Sequence, residues 1–138
     1  MKLLSPTGDW LVRNDGAGIG TYGAPRGNRL HNGVDLVCVP GAAIYSPIDG
    51  IIVREAYPYA GDLKWSGCLI SGTQMEVKMF YMRLAHHIRK AFPYSVSAGE
   101  EIGWAQDITK KYPNEPNMTP HVHLELKAMQ RVNPMEYI

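Results

Sequence analysis

Turn residues cut this chain into short apolar pieces. Pro40-Gly41, Pro47-Ile48-Asp49-Gly50, Gly72-Thr73 and Ser97-Ala98-Gly99-Glu100 each interrupt an apolar run before it reaches helical length. Fourteen Gly and ten Pro in 138 residues sustain that punctuation along the chain. Such a sequence suits many short strands and disfavours a helical bundle. The expected fold is mainly β with few short helices. The length suits one compact domain around one core. Residues 1–20 read as a Gly-rich lead-in, 21–128 as the core and 129–138 as a tail.

Strands are expected over 33–39, 42–46 and 51–56, with a loop over 57–67. Residues 68–71 and 76–84 form a hairpin candidate around Gly72-Thr73, with Val77, Met79, Tyr81 and Arg83 sharing one face of its second strand. Residues 85–91 read as a short helix, 102–106 as a strand and 107–120 as a Pro-rich loop. The last strand, 121–126, alternates cleanly: His121, His123 and Glu125 on one face, Val122, Leu124 and Leu126 on the other.

Charge is nearly balanced, with Lys plus Arg 14 and Asp plus Glu 13, so no basic excess points to nucleic acid. No run approaches the roughly 20 apolar residues of a membrane span. Cys38 and Cys68 are too few for a disulfide framework and read as two buried thiols, with a single Cys38–Cys68 bridge as the alternative. Met1-Lys2-Leu3-Leu4 is cut short by Ser5-Pro6, so no secretory segment is visible. That pattern fits a trimmed chain, or delivery by a phage tail or secretion machinery.

The chemistry concentrates in two short signals, His31-Asn32-Gly33-Val34-Asp35 and His121-Val122-His123. A catalytic zinc site takes three protein ligands and keeps one position open for water or substrate. His31, Asp35 and one of the two late histidines can supply those three. The other late histidine then stands where a general base is needed. Asp35 lies among apolar neighbours, and a buried carboxylate must be paired or metal-bound. A zinc hydrolase is the first expectation.

These signals fall in an order that resembles the lysostaphin-type zinc endopeptidases, which cut peptide cross-links in bacterial cell walls. The matching residues are Tyr22-Gly23 and Arg26 ahead of His31-x-x-x-Asp35, then Pro40-Gly41 and Ser46-Pro47-Ile48-Asp49-Gly50-Ile51-Ile52-Val53. Gly99-Glu100-Glu101-Ile102-Gly103 and Pro120-His121-Val122-His123-Leu124-Glu125 complete the set. The resemblance implies antiparallel sheets forming a groove, with one zinc ion held by His31, Asp35 and His123 at its base and His121 as the general base. It also implies Tyr81 and Arg26 as substrate-binding residues, a peptidoglycan peptide as partner, and action in the periplasm or cell wall.

One segment departs from that family. Its peptidases carry a second catalytic histidine in a Tyr-x-His-Leu segment, and here the segment is Tyr81-Met82-Arg83-Leu84. Arg83 can hold an oxyanion by charge, bind an anionic ligand, or be an ordinary solvated strand residue; it cannot act as a base. The catalytic expectation is therefore His121 with Arg83. The stretches His31–Asp35 with Cys38, and Val77–Tyr81, also resemble a secreted animal branch of the family that binds zinc without peptidase activity. A zinc-stabilised binding or signalling module is the competing expectation, and a structural phage-tail or wall-binding part the third. His86 and His87 read as surface residues, and Glu125 as an acceptor for a ligand imidazole or a strand-edge residue. Tyr57, Tyr59, Trp65, Trp104 and Tyr112 are candidates for groove walls or for packing.

Overall fold

The computed structural model describes residues 3–26, 29–129 and 133–136. Met1 and Lys2 of the opening run, residues 27–28, and residues 130–132 and 137–138 of the tail lie outside the described residues. Two short hairpins come first: β1 (Asn14–Asp15) with β2 (Gly18–Ile19), and β3 (Pro25–Arg26) with β4 (Arg29–Leu30). Then follow β5 (Val34–Val37), β6 (Ala43–Tyr45), β7 (Gly50–Ala56), β8 (Gly67–Ser71), β9 (Met75–Phe80) and β10 (Met82–Leu84). One helical turn, α1 (His86–Arg89), precedes β11 (Tyr94–Val96) and β12 (Glu101–Ala105). A 3-10 turn over Ile108–Lys111 leads to β13 (His121–Ala128), and a second lies at Pro134–Glu136.

The main sheet has six strands in the order β11-β7-β8-β9-β13-β5, all antiparallel. A three-stranded sheet, β10-β12-β6, lies beside it. Their inner faces share one core, with Ile44, Ile52, Ile70, Val77, Met79, Met82, Leu84, Ile102 and Val122 at its centre. Cys38 and Cys68 are buried free thiols, and burial pushes Cys68 up to about 12. Among the described residues no helix is long and apolar enough to cross a membrane.

Turn chemistry places most of these elements where the sequence puts them, within one or two residues at the ends. Three differences matter. The strand expected over 76–84 is two strands, broken at Tyr81, which adopts φ 67°. That left-handed residue resets the alternation. Val77 and Met79 face the core before the break, and Met82 and Leu84 face it after. Arg83 therefore does not share a face with Val77 and Met79; it pairs across from Trp104 on β12.

The lead-in is also more than a lead-in. Val12 bridges Leu36, and the amide of Arg13 donates to the carbonyl of Asp35 at 2.8 Å. Finally, Leu126 lies half exposed although its strand partners Val122 and Leu124 are buried, because β13 runs out beyond the core.

Candidate metal centre and active-site cleft

Strand register assembles the site. His123 on β13 lies directly opposite Asp35 on β5 and opposite Phe80 on β9. His121 is two residues earlier on the same face. His31 approaches from the turn that leads into β5. Close backbone approach makes this possible at Gly33: a Cβ there would strike the carbonyl oxygen of Leu124 and come within 2.9 Å of the His123 ring. All four side chains are buried at the floor of a cleft of about 490 Å³.

His31 Nε2, Asp35 Oδ1 and His123 Nδ1 form a tight triangle. Its edges are 3.2 Å from His31 to Asp35, 2.9 Å from Asp35 to His123 and 3.0 Å from His31 to His123. A tetrahedral ion with bonds of about 2.0–2.1 Å has edges of about 3.3 Å, so the triangle is close to zinc-ligand spacing. Outer hydrogen bonds prepare each ring. His31 Nδ1–H donates to the carbonyl of Thr21 at 2.9 Å, and His123 Nε2–H donates to Glu125 at 3.0 Å. These bonds leave the inward nitrogens bare beside a carboxylate. Three acceptors this close repel unless a cation or an added proton lies among them, and outer acceptors of this kind are what metal-bound imidazoles use. The residues present fit zinc.

His121 is prepared in the same way but stands outside the triangle. Its Nδ1–H donates to the carbonyl of Thr119 at 2.7 Å, and its Nε2 lies 3.7 Å from Asp35 Oδ2. Burial lowers its pKa, while the Asp35 charge and the Thr119 carbonyl offset this only in part, so the neutral form is favoured. A neutral imidazole with a bare nitrogen toward a cleft is a proton acceptor.

Asp35 also carries an unexpected set of partners. Arg13, almost wholly buried, donates from Nη1 to Asp35 Oδ2 at 3.2 Å, and Arg26 Nη2 reaches the same oxygen at 3.4 Å. Burial alone would raise the Asp35 pKa. The bond that His123 Nδ1 gives when it carries the added proton, and the attraction of the imidazoles in their charged forms, outweigh it and bring the carboxyl down to about 2. Arg13 in turn grips Asp15 through Nε at 2.9 Å and Nη2 at 3.3 Å. Asp15 accepts the amide of Thr119 at 2.7 Å, which ties this ion chain to the residue that orients His121. The sequence reading missed Arg13 and Asp15. Their only local signal is an Arg-x-Asp pair before Gly16 in a polar segment, which has no periodicity.

The other expected site residues separate into two groups. Tyr81, Arg26 and Glu125 line the cleft, as do Tyr59 and Tyr112 among the loop aromatics. Arg83 does not line it, because the break at Tyr81 turns β10 away, and Tyr57, Trp104, His86 and His87 lie outside it too. Trp65 is buried. Tyr81 lies in the cleft with its ring edge-on to His121 at a centroid distance of 5.6 Å.

The fold is mainly β, with a His-Asp-His group that fits a metal ion and a neutral imidazole beside it, as in a metallopeptidase. The chain belongs to peptidase family M23, whose model matches residues 29–134. It is 34% identical over 112 residues to bovine leukocyte cell-derived chemotaxin-2, covering 80% of this chain and 69% of that protein. Chicken myeloid protein 1 is 30% identical over 115 residues, covering 80% of this chain and 33% of that protein. The fold is that of the catalytic domain of lysostaphin from Staphylococcus simulans, an antimicrobial peptidase, with TM-score 0.55, 20% identity and 90% of each chain covered. It also matches Helicobacter pylori Csd3, with TM-score 0.63 and 19% identity, covering this whole chain and 35% of that protein. This chain therefore spans about a third of Csd3.

Proposed function

We propose that this protein is a zinc-dependent endopeptidase that cleaves peptide cross-links of bacterial peptidoglycan. The observation that carries this reading is the triangle His31–Asp35–His123 with the bare Nε2 of His121 beside it at the floor of an open cleft. His31 Nε2, Asp35 Oδ1 and His123 Nδ1 hold the ion. Bound zinc supplies Lewis acidity, polarising a carbonyl and bringing the acidity of water into the neutral range. His121 takes the proton of the attacking water and returns it to the leaving amine nitrogen. Arg13 holds Asp35 Oδ2, which leaves Oδ1 as the ligand oxygen. Arg26, a quarter exposed at the cleft edge, and Glu125 border the substrate path.

A second reading has its own observation. Among the described residues, the only imidazoles that line the cleft are His31, His121 and His123. No second free histidine faces His121, and the likeness to the chemotaxin-2 proteins is higher in identity than that to lysostaphin. A zinc-stabilised binding module fits that deficit. Zinc-loaded wild type and His121→Ala, compared in a turbidity assay on purified cell walls, separate the two. Clearing by wild type alone supports the peptidase; no clearing by either protein supports the module.

A further inference from the structure

Tyr81 is the one non-glycine residue with positive φ among the described residues, at 67°. A bulky aromatic in the left-handed region is unfavourable and persists only where its surroundings over-determine it. They do so here. Its amide donates to the carbonyl of Ser66 at 2.8 Å, and its carbonyl accepts the amide of Gln106 at 2.9 Å. Gln106 is itself fixed, accepting the amide of Ser66 at 3.0 Å and donating to the carbonyl of Lys64 at 2.6 Å. The strained backbone delivers one thing: the Tyr81 ring lies in the cleft, edge-on to His121 and 6.4 Å from the His123 ring.

The phenol end is held as well. The Tyr81 hydroxyl lies 3.3 Å from that of Tyr59, which is hydrogen-bonded in turn to the hydroxyl of Tyr112. Lys111 caps Tyr59, its Nζ 4.7 Å from the ring centre, and is anchored by Asp62 at 3.0 Å. A separation of 3.3 Å is long for an O–H···O bond, so the Tyr81 proton is not committed to Tyr59. Either hydroxyl can donate across that gap, and when Tyr59 is the donor the Tyr81 hydrogen is free to bond a group in the cleft. Burial raises its pKa, which keeps that hydrogen in place at neutral pH.

We propose that Tyr81 is a catalytic residue of the peptidase reading above. Its O–H donates a hydrogen bond to the oxyanion that develops at the scissile carbonyl. The water oxygen forms a bond to the carbonyl carbon while His121 takes its proton. The carbonyl π pair moves to oxygen and is stabilised there by Tyr81, which keeps its own proton. On collapse the C–N bond breaks and the nitrogen receives the proton from His121. Tyr59 and Tyr112 are positioning residues acting through Tyr81. This inference rests on the peptidase reading.

The test uses the full chain loaded with zinc, as wild type, Tyr81→Phe, Tyr59→Phe and the double variant. Each is assayed on cross-linked muropeptides and titrated calorimetrically with a phosphinic pseudodipeptide of glycine, a tetrahedral anion. Tyr81→Phe is expected to keep its zinc and KM and to lose kcat by about 10²–10³-fold, the loss typical of one oxyanion donor. Its affinity for the phosphinate is expected to fall as well. Tyr59→Phe is expected to lose less, with no further loss in the double variant. Unchanged kcat and phosphinate affinity in Tyr81→Phe overturn the proposal. If wild type cleaves nothing, the peptidase reading fails and the phosphinate decides alone. Weaker binding by Tyr81→Phe then supports the donor, and equal binding overturns it.

Discussion

Arg13 and Asp35 are joined twice. The backbone amide of Arg13 donates to the Asp35 carbonyl at 2.8 Å, and its guanidinium donates to Asp35 Oδ2 at 3.2 Å. Gly20 completes the unit, because its amide reaches the Arg13 carbonyl at 2.7 Å and its carbonyl accepts from the Asp35 amide at 2.8 Å. A Cβ on Gly20 would come within 2.8 Å of the side chains of both residues. The N-terminal segment is thereby part of the candidate metal centre.

Removing this arginine leaves the buried Asp35 and the part-buried Asp15 short of a partner. Breaking a buried ion pair from one side costs about 3–5 kcal/mol. Arg13→Met is expected to lower the unfolding free energy by about that amount in chelator-treated protein, and by less once zinc occupies the site. Urea melts with and without zinc measure the difference.

The same ion chain sets an acid limit. Burial works against ionised Asp15, but the Arg13 bond and charge and the amides of Thr119 and Ala17 prevail and hold its carboxyl well below the usual carboxylate range. A depressed folded pKa contributes stability above the unfolded value, about 3.9, and loses it as pH falls through that value and below. The melting temperature is therefore expected to drop between about pH 5 and pH 3. Asp15→Asn is expected to start lower at pH 7 and to show a shallower acid drop over the same range.

His121 is expected to be separable from the metal. His121→Ala removes no corner of the triangle, so it is expected to keep one zinc per chain while hydrolysis falls by about 10²–10⁴-fold, the scale of a general base. Metal analysis beside turnover checks both halves. Loss of zinc in this variant would assign His121 as a ligand.

Gly33→Ala is expected to do the reverse. Its Cβ meets the Leu124 carbonyl and the His123 ring, so either the strand or the ligand must move. Overpacking of this kind costs about 1–3 kcal/mol. The variant is expected to bind zinc more weakly, with the fold otherwise retained by circular dichroism.

The parts legible in the sequence are those written in local periodicity and turn chemistry. The alternation of His121-Val122-His123 places both imidazoles on one side of β13, and Pro-Gly turns bound β5, β6 and β7 nearly to the residue. Two features were not legible. Tyr81 looks like an interior strand residue, because its left-handed turn is imposed by Ser66 and Gln106, which are remote in sequence. That one dihedral resets the alternation, and Arg83 does not line the cleft. Arg13 acquires its role only through pairing with Asp35 across the fold, a contact that neither residue's neighbours announce.

The most direct measurement is mass analysis of soluble fragments after zinc-loaded protein is incubated with purified peptidoglycans of several cross-link types. The account expects fragments formed by water addition across a peptide bond, absent with chelator and restored by added zinc. Protein carrying one zinc per chain that releases no fragment from any of these peptidoglycans would contradict it.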